Sequence, residues 1–314
     1  LKERVIIPMR QQWGAPMDEI CAYIGSTPSG TDIILGKPDL GRMKAVVETD
    51  YHRLILRDRG LVIYTDTLAA MARRMRQTPL QVLATNAGCN LVYCTVRNLG
   101  YRVASWHSVE KDLACHRVTN QIVPADELVH VAGNDTNTAF SALQGKHFDL
   151  HVDTSPCQPW SRLRDPVGLG FKDTRANAFR SAARIHRHLR RVNPAIKHLV
   201  ENVEPHEDLS DDKATMEQLW QSKFVTVNAS DWGSPSSRPR NLATNIVNVQ
   251  DIPIQPPVNP NYLVQGDYYC PTPSMPCVVA SPGAHTRNPP IVYSVAFPRH
   301  KRYLTSTEAE SFQL

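Results

Sequence analysis

Two stretches decide how this chain is read. They are Gln81-Val82-Leu83-Ala84-Thr85-Asn86-Ala87-Gly88-Cys89 and Phe148-Asp149-Leu150-His151-Val152-Asp153-Thr154-Ser155-Pro156-Cys157-Gln158. Each starts as an apolar run of strand length and ends in small, polar or reactive residues. Around them strand-like and helix-like segments alternate. Strands are expected at residues 81–85, 102–106, 129–131, 148–152 and 198–200, with helical patterns near 91–99, 109–118 and 173–192. Residues 225–229 and 241–247 read as an antiparallel pair at one edge. Alternation of this kind is the signature of a doubly wound α/β domain, whose ligands bind beyond the carboxyl ends of the strands. Those ends here carry Asn86-Ala87-Gly88-Cys89, then Glu110, then Gly133-Asn134-Asp135, then Ser155-Pro156-Cys157-Gln158, then Glu201-Asn202-Val203.

Outward from this region the pattern changes. Residues 1–64 are β-rich, with strands expected at 5–7, 33–35, 45–47 and 54–56. Leu68, Met71, Ala72 and Met75 recur at helical spacing before Pro79. Residues 251–290 hold ten of the 24 prolines, so little regular structure is expected there. The expected organisation is a β segment (1–64), a helical linker (65–80), a catalytic domain (81–249), a recognition region (250–300) and the start of a helix (301–314).

With 314 residues, 41% hydrophobic and 21% charged, the chain can bury a sizeable core. Lys and Arg number 35 against 30 Asp and Glu, a formal charge of +5, which permits a nucleic-acid partner without demanding one. No apolar run has the roughly 18 residues of a membrane span. The seven cysteines are odd in number and scattered, with no Cys-x-x-Cys pair. Neither a disulfide framework nor a zinc site is expected, and an intracellular setting is.

The rim residues carry the chemistry. Gly88 in a strand-to-helix turn lets backbone approach a ligand, and Glu110 lies 22 residues on, near the spacing of an acid that holds ribose hydroxyls. The pair suggests an adenosine-containing ligand. The full G-x-G-x-x-G is absent, which disfavours a nicotinamide dinucleotide. Cys157, stiffened by Pro156, is the candidate nucleophile, although most free cysteines are only buried apolar groups. Glu201 at the next strand end changes that balance. A carboxyl beside a thiol suits acid-assisted addition to an electron-poor ring. Arg238 and Arg240, two apart in a strand, would share a face and reach a phosphate or carbonyl, or else form a solvated edge. Arg180, Arg184, Arg187 and Arg191 fall on one helical stripe, ordinarily a solvated face, here a candidate phosphate contact.

Taken together these motifs resemble the cytosine C5 DNA methyltransferase family over residues 80–314. Ser155-Pro156-Cys157-Gln158 is similar to its Pro-Cys-Gln loop, Glu201-Asn202-Val203 to its Glu-Asn-Val, and Ser236-Ser237-Arg238-Pro239-Arg240 to its Gln-x-Arg-x-Arg. Asn86-Ala87-Gly88 resembles its Phe-Ala-Gly, and Arg302-Tyr303-Leu304-Thr305-Ser306-Thr307-Glu308 its Arg-x-Leu-Thr-x-x-Glu. The resemblance implies a Rossmann-like fold and S-adenosylmethionine as cofactor, held by Asn86, Ala87, Gly88, Cys89, Glu110, Asp135 and Pro156. It also implies a DNA substrate (RNA is open to the same chemistry), hence a nuclear setting, and catalysis by Cys157, Glu201, Arg238 and Arg240 on a flipped-out cytosine. No metal is implied. Tyr262, Tyr268, Tyr269 and Arg287 would face the nucleic acid. The chain departs from the family at Asn86, where the family has an aromatic, at Cys89-Asn90 in place of a second Gly, at Thr154-Ser155 and at Ser236. A degenerate fold that binds nucleic acid without catalysis therefore stays open as an alternative.

Asp32-Ile33-Ile34-Leu35-Gly36-Lys37-Pro38-Asp39-Leu40, with Ala45–Glu48 and Leu54-Ile55-Leu56, resembles the second half of a retrotransposon aspartic protease. The catalytic Asp-Thr/Ser-Gly triplet is absent from residues 1–64. On this likeness the chain reads as a fragment of a gypsy-type retroelement polyprotein.

Overall fold

The computed structural model describes residues 78–304, apart from 132–135, 162–167, 265, 273–274, 277–290 and 298, together with the backbone of six strands between residues 3 and 64. The chain divides into two compact units, one of residues 74–227 and 239–253, the other of residues 1–73, 228–238 and 254–314.

Strands β1 (Glu3–Met9), β2 (Asp18–Ile24) and β3 (Ile33–Leu35) form one antiparallel sheet. A second consists of β4 (Ala45–Glu48), β5 (Arg53–Leu56) and β6 (Leu61–Tyr64). All four strands expected in this region are present, and β2 and β6 add to them. The helix expected at 68–75 lies outside the described residues.

The 74–227 unit is built on β7 (Leu80–Thr85), α1 (Leu91–Asn98), β8 (Val103–Val109), α2 (Leu113–Ile122), β9 (Leu128–His130), α3 (Thr136–Leu143), β10 (Leu150–Asp153), α4 (Asn177–Val192), β11 (Lys197–Asn202) and α5 (Ser210–Trp220). It is completed by β12 (Val225–Asn228) and, after the short β13 (Ser236–Ser237) of another sheet, by β14 (Pro239–Thr244). The sheet order is β12-β14-β11-β10-β7-β8-β9. Strands β7 to β11 run parallel, and β14 is antiparallel to β11. This is the doubly wound, Rossmann-like α/β architecture that the alternation implied. The chain leaves β7 toward β8 and β9, then returns to the other side at β10, so the order reverses between β7 and β10. At such a reversal an open α/β sheet is expected to form its ligand crevice.

Alternation along the strands supplies a face to each helix layer. Val82 and Ala84 of β7 pack with Tyr93 and Val96 of α1 and with Trp106 of β8. Leu83 points the other way, into a cluster with Ala139 and Leu143 of α3 and Ile185 and Leu189 of α4. A third cluster, under β11, gathers Trp160, Phe179, Val200, Met216, Trp220, Phe224 and Ala243. On α4 the arginine stripe is the opposite of the buried face: Phe179, Ala182, Ala183, Ile185, His186 and Leu189 face inward, while Arg180, Arg184, Arg187 and Arg191 are exposed.

Two boundaries differ from expectation for local reasons. The second helix begins at Leu113 rather than 109, because β8 runs on to Val109 and the Asp112 carboxylate then caps the Ala114 N–H at 2.8 Å. The long helix begins at Asn177 rather than 173, because Asp173 caps the Arg175 N–H at 3.0 Å and opens a 3₁₀ turn first.

In the second unit, β15 (Tyr268–Tyr269), β17 (Ile291–Ser294) and β18 (Lys301–Tyr303) form a small antiparallel sheet, and β13 pairs with β16 (Met275–Pro276). Leu263, Cys270, Met275 and Val292 form its core. Within 251–290 the described regular elements are two-residue strands and single turns, as the prolines require.

Three imidazoles are buried under the centre of the sheet. His151 Nδ1 lies 3.2 Å from His186 Nδ1. The rings of His186 and His198 are 4.7 Å apart, and both pack on Trp220. Burial, then neighbouring positive charge, holds His186 down to about 3 and His198 to about 4, and holds His151 well below the usual value. His107, packed edge-on to Phe148, is lowered to about 4 by burial and Lys146. Each of these groups binds a proton in the unfolded chain before it can do so in the folded one. Stability is therefore full above pH 6.5 and lost as pH falls toward 4, at up to about 1.4 kcal/mol per pH unit for each residue. Asp153, raised to about 6, acts in the opposite sense, gaining stability as pH falls from 6, but it is one group against four. Denaturant unfolding at pH 7 and pH 5 should show a marked loss at pH 5, and His198→Gln should make that loss smaller.

Candidate active site

The crevice is bounded by the turn after β7 and the turn after β10. The first is wound tightly: Asn86, Gly88 and Asn90 all adopt left-handed backbone, at φ 51°, 52° and 56°. Asparagine tolerates that region better than most side chains, which explains how Asn90 stands where a glycine would be expected. Its side chain is buried and fully used. Its Nδ2 donates to Ser108 Oγ and Thr119 Oγ1, both at 2.9 Å, and its Oδ1 accepts from Trp106 Nε1 at 2.6 Å. A Cβ on Gly88 would meet nothing within 4 Å, so the ground above this turn is open.

Glu110 stands just past β8, against the turn. One carboxylate oxygen accepts from the Gly88 N–H at 2.7 Å, and the other from the Lys111 and Asp112 N–H groups at 2.7 and 2.9 Å. Three of about four acceptor positions are thereby taken, which leaves one on the oxygen facing Gly88. A ribose fits this site through one hydroxyl. Cys89 Sγ is 3.9 Å from Cys115 Sγ of α2, and burial, Cys89, Glu110 and Asp112 push the Cys115 thiol up to about 11. Asp135 lies outside the described residues.

The second turn is pinned from both sides. Asp153, at the end of β10, is completely buried. Its Oδ1 accepts from Thr85 Oγ1 and Asn86 Nδ2, both at 2.8 Å, and its Oδ2 accepts from Ser155 Oγ at 2.6 Å. Thr154 Oγ1 donates to the Asn86 carbonyl at 2.8 Å. On the other flank, Asn202 Nδ2 of β11 donates to the Ser155 carbonyl at 3.2 Å. Beyond the cysteine, the Trp160 N–H donates to the Cys157 carbonyl at 3.0 Å, and Trp160 Nε1 donates to Asp212 Oδ2 at 2.8 Å. Gly168 presses on this loop so closely that a Cβ would overlap the Pro159 carbonyl. Cys157 itself is exposed. The loop thus presents one reactive, accessible group between two buried anchors, Ser155 and Trp160. Pro156 is half-buried beside it.

Glu201 is at the end of β11, the strand next to β10. In the antiparallel register Glu201 faces Leu242, so Arg240, two residues earlier on β14, is its diagonal neighbour on the same face. Arg240 Nε meets Glu201 Oε1 at 2.6 Å, which fixes the carboxylate's orientation at the rim. Arg238 lies just before the strand that carries Arg240. Strand β14 starts at Pro239, so the shared strand face expected for the two arginines does not extend to it. Arg238 belongs to the second unit, where its N–H donates to Asn228 Oδ1 at 2.7 Å. Near the cysteine loop, Arg175 is paired with Asp173, and that pairing and then the electrostatic influence of Cys157 raise its pKa.

The structure therefore brings Asn86, Ala87, Gly88, Cys89 and Glu110 together on one side of the crevice, with the Pro156-Cys157 loop after β10 and Glu201 with Arg240 at the next strand end. Sequence reasoning quoted Ser155 and Asn202 only as parts of motifs and missed Asp153, Asp212 and Gly168, all of which hold the loop. An acid at a strand end two residues before a serine was the available signal for Asp153. Among the described residues, no cluster of His, Cys, Asp and Glu could hold a metal ion, and no helix is long and apolar enough to cross a membrane.

No family model and no curated protein matches the chain. Among solved structures it is similar to a prophage-encoded E. coli protein described as a DNA modification methyltransferase, at 19% identity and TM-score 0.40 over 58% of this chain and 53% of that one. It is also similar to the Entamoeba histolytica methyltransferase EhMeth, at 12% identity and TM-score 0.48 over 75% and 86%. A third is the S. pombe Dnmt2 methyltransferase, at 15% identity and TM-score 0.36 over 53% and 49%. The chain spans about half the length of the first and third of these. Likenesses at this level add nothing to what the strand order already gives.

The turn geometry yields a stability prediction. Asn90→Ala leaves the buried Trp106 N–H without its acceptor and should lower unfolding free energy by about 2–3 kcal/mol, measured by denaturant titration.

Proposed function

We propose that the chain transfers a methyl group from S-adenosylmethionine to C5 of cytosine in DNA, with Cys157 as nucleophile. The observation that carries this reading is the pairing on one rim of an exposed thiol, anchored on both sides, with a carboxylate at the adjacent strand end oriented by an arginine. The motif order quoted above and the place of these groups at the strand reversal support it.

The pocket residues define the steps. Cytosine reaches the rim unstacked from its duplex. The Cys157 thiolate adds to C6, and Glu201 hydrogen-bonds N3 and passes it a proton, so electron density gathers at C5. Arg240 keeps Glu201 aimed at the ring. When bound, S-adenosylmethionine supplies an electrophilic methyl group. Loss of the C5 proton to solvent, return of the N3 proton to Glu201 and departure of the thiolate from C6 then restore the aromatic ring and free Cys157. On the cofactor side, Gly88 offers open ground and Glu110 one acceptor. Asn86 offers no stacking surface, because its amide is spent on Asp153 and Ser155. That favours weak cofactor binding.

The same reading takes residues 1–64 as an aspartic protease-like segment lying upstream of the methyltransferase in one polyprotein, supported by the quoted motif and the two antiparallel sheets.

Transfer of labelled methyl groups to duplex DNA and to RNA of the same sequence tests the reading. Label should enter C5 of cytosine in DNA, Cys157→Ala should abolish incorporation by at least about a thousandfold, and Glu201→Gln should slow it by about a hundredfold or more. Binding of DNA and cofactor without incorporation would identify a non-catalytic binding fold, and incorporation into RNA alone would move the substrate class.

A further inference from the structure

The turn that carries Cys157 and the turn after β7 belong to strands on opposite sides of the reversal, and no stretch of chain joins them directly. One backbone bond links them, from the Thr154 N–H to the Thr85 carbonyl at 3.3 Å, and side chains supply the other ties. Asp153 accepts from Thr85 Oγ1 and Asn86 Nδ2 on one oxygen and from Ser155 Oγ on the other. Asn86 Nδ2 donates also to Ser155 Oγ at 3.0 Å, closing the ring of bonds. Thr154 adds its own bond to the Asn86 carbonyl.

We infer that Asp153 is a positioning residue that ties the two turns into one body and so holds Cys157 where it reacts, a role that rests, for its catalytic consequence, on the reading above.

The argument is one of partners and burial. A fully buried carboxylate is costly unless several donors compensate it. Here it has three, and each comes from one of the two turns or the residue beside it. A carboxylate that served only to fill the end of β10 would not need Asn86, which lies in a left-handed turn on the neighbouring strand. Ser155, one of its donors, is two residues before Cys157, with only the rigid Pro156 between them. Movement of Asp153 is therefore delivered to the thiol with little slack. The chain departs from its look-alike family at Asn86 and at Thr154-Ser155 together, and these residues bond to one another or to Asp153.

Exchange of the two partners isolates the tie. Asp153→Asn replaces one of the two accepting oxygens by a donor, so the bonds from Asn86 and from Ser155 cannot both be kept. The double variant N86D/D153N restores one donor and one acceptor in reversed order, and Asp tolerates left-handed backbone nearly as well as Asn. Amide hydrogen exchange on the full chain should be about tenfold faster for D153N at residues 84–90 and 153–160, with the rest of the sheet unchanged. The double variant should return toward the parent. Single-turnover methyl transfer at saturating DNA should fall about a hundredfold in D153N with DNA affinity unaltered, and should recover in the double variant. Parent-like exchange in D153N, no recovery in the double variant, or faster exchange spread over the whole domain would each overturn the inference. If the parent protein transfers no methyl group, the proposed reaction falls, while the exchange measurement still decides the tie. If D153N does not fold, Asn86→Ala, which deletes only the amide, is read in the same way.

Discussion

Parallel strands cannot be joined by tight turns, and each crossover here spends a helix to return the chain to the same end of the sheet. Because the order reverses between β7 and β10, the crossovers that follow those two strands leave in opposite directions, while the strand ends themselves stay paired side by side. The place between the two turns is filled by side chains, beside one backbone bond from the Thr154 N–H to the Thr85 carbonyl at 3.3 Å. In this chain a buried carboxylate, Asp153, takes that position and draws the Thr85-Asn86 and Thr154-Ser155 segments together. The remaining features of the rim follow from it. Gly88 keeps open ground on one flank, and the Pro156-Cys157 loop emerges on the other.

Exposure and rigidity usually oppose each other in a loop. The Cys157 loop escapes that conflict because its anchors lie on either side of the thiol rather than at it. Ser155 is fixed by Asp153 and Asn202, and Trp160 sits in the aromatic cluster with Phe171 and Phe179 while bonding Asp212. A side chain held this way has little freedom left to lose, the condition in which an oriented group lowers a barrier most. Glu201 is treated similarly. Its strand position sets where the carboxylate stands, and Arg240 sets where it points.

Much of the fold could be read from the sequence, because alternating apolar runs of strand and helix length report directly on a layered sheet. Rim positions followed from strand ends alone, so Cys157, Glu201, Gly88 and Glu110 could be named. Three things were hidden. Side-chain caps at Asp112 and Asp173 moved helix starts by about four residues, since a capping acid looks like any acid until the backbone turns. Membership of Arg238 in the strand with Arg240 depended on where β14 begins, and a proline at 239 made that start ambiguous. The Asp153 network joins residues nearly seventy positions apart, and no periodicity reports on such a pairing. The histidines at 151, 186 and 198 are likewise far apart in the sequence, and only packing shows them as one buried group.

Covalent capture of the nucleophile addresses the central claim most directly. The full chain is mixed with S-adenosylmethionine and duplex DNA carrying 5-fluorocytosine, where fluorine cannot leave as a proton does, and the product is digested for mass spectrometry. The account predicts a denaturation-resistant protein–DNA adduct whose linkage maps to Cys157. An adduct on another cysteine, or methyl transfer that proceeds with no adduct, would contradict it.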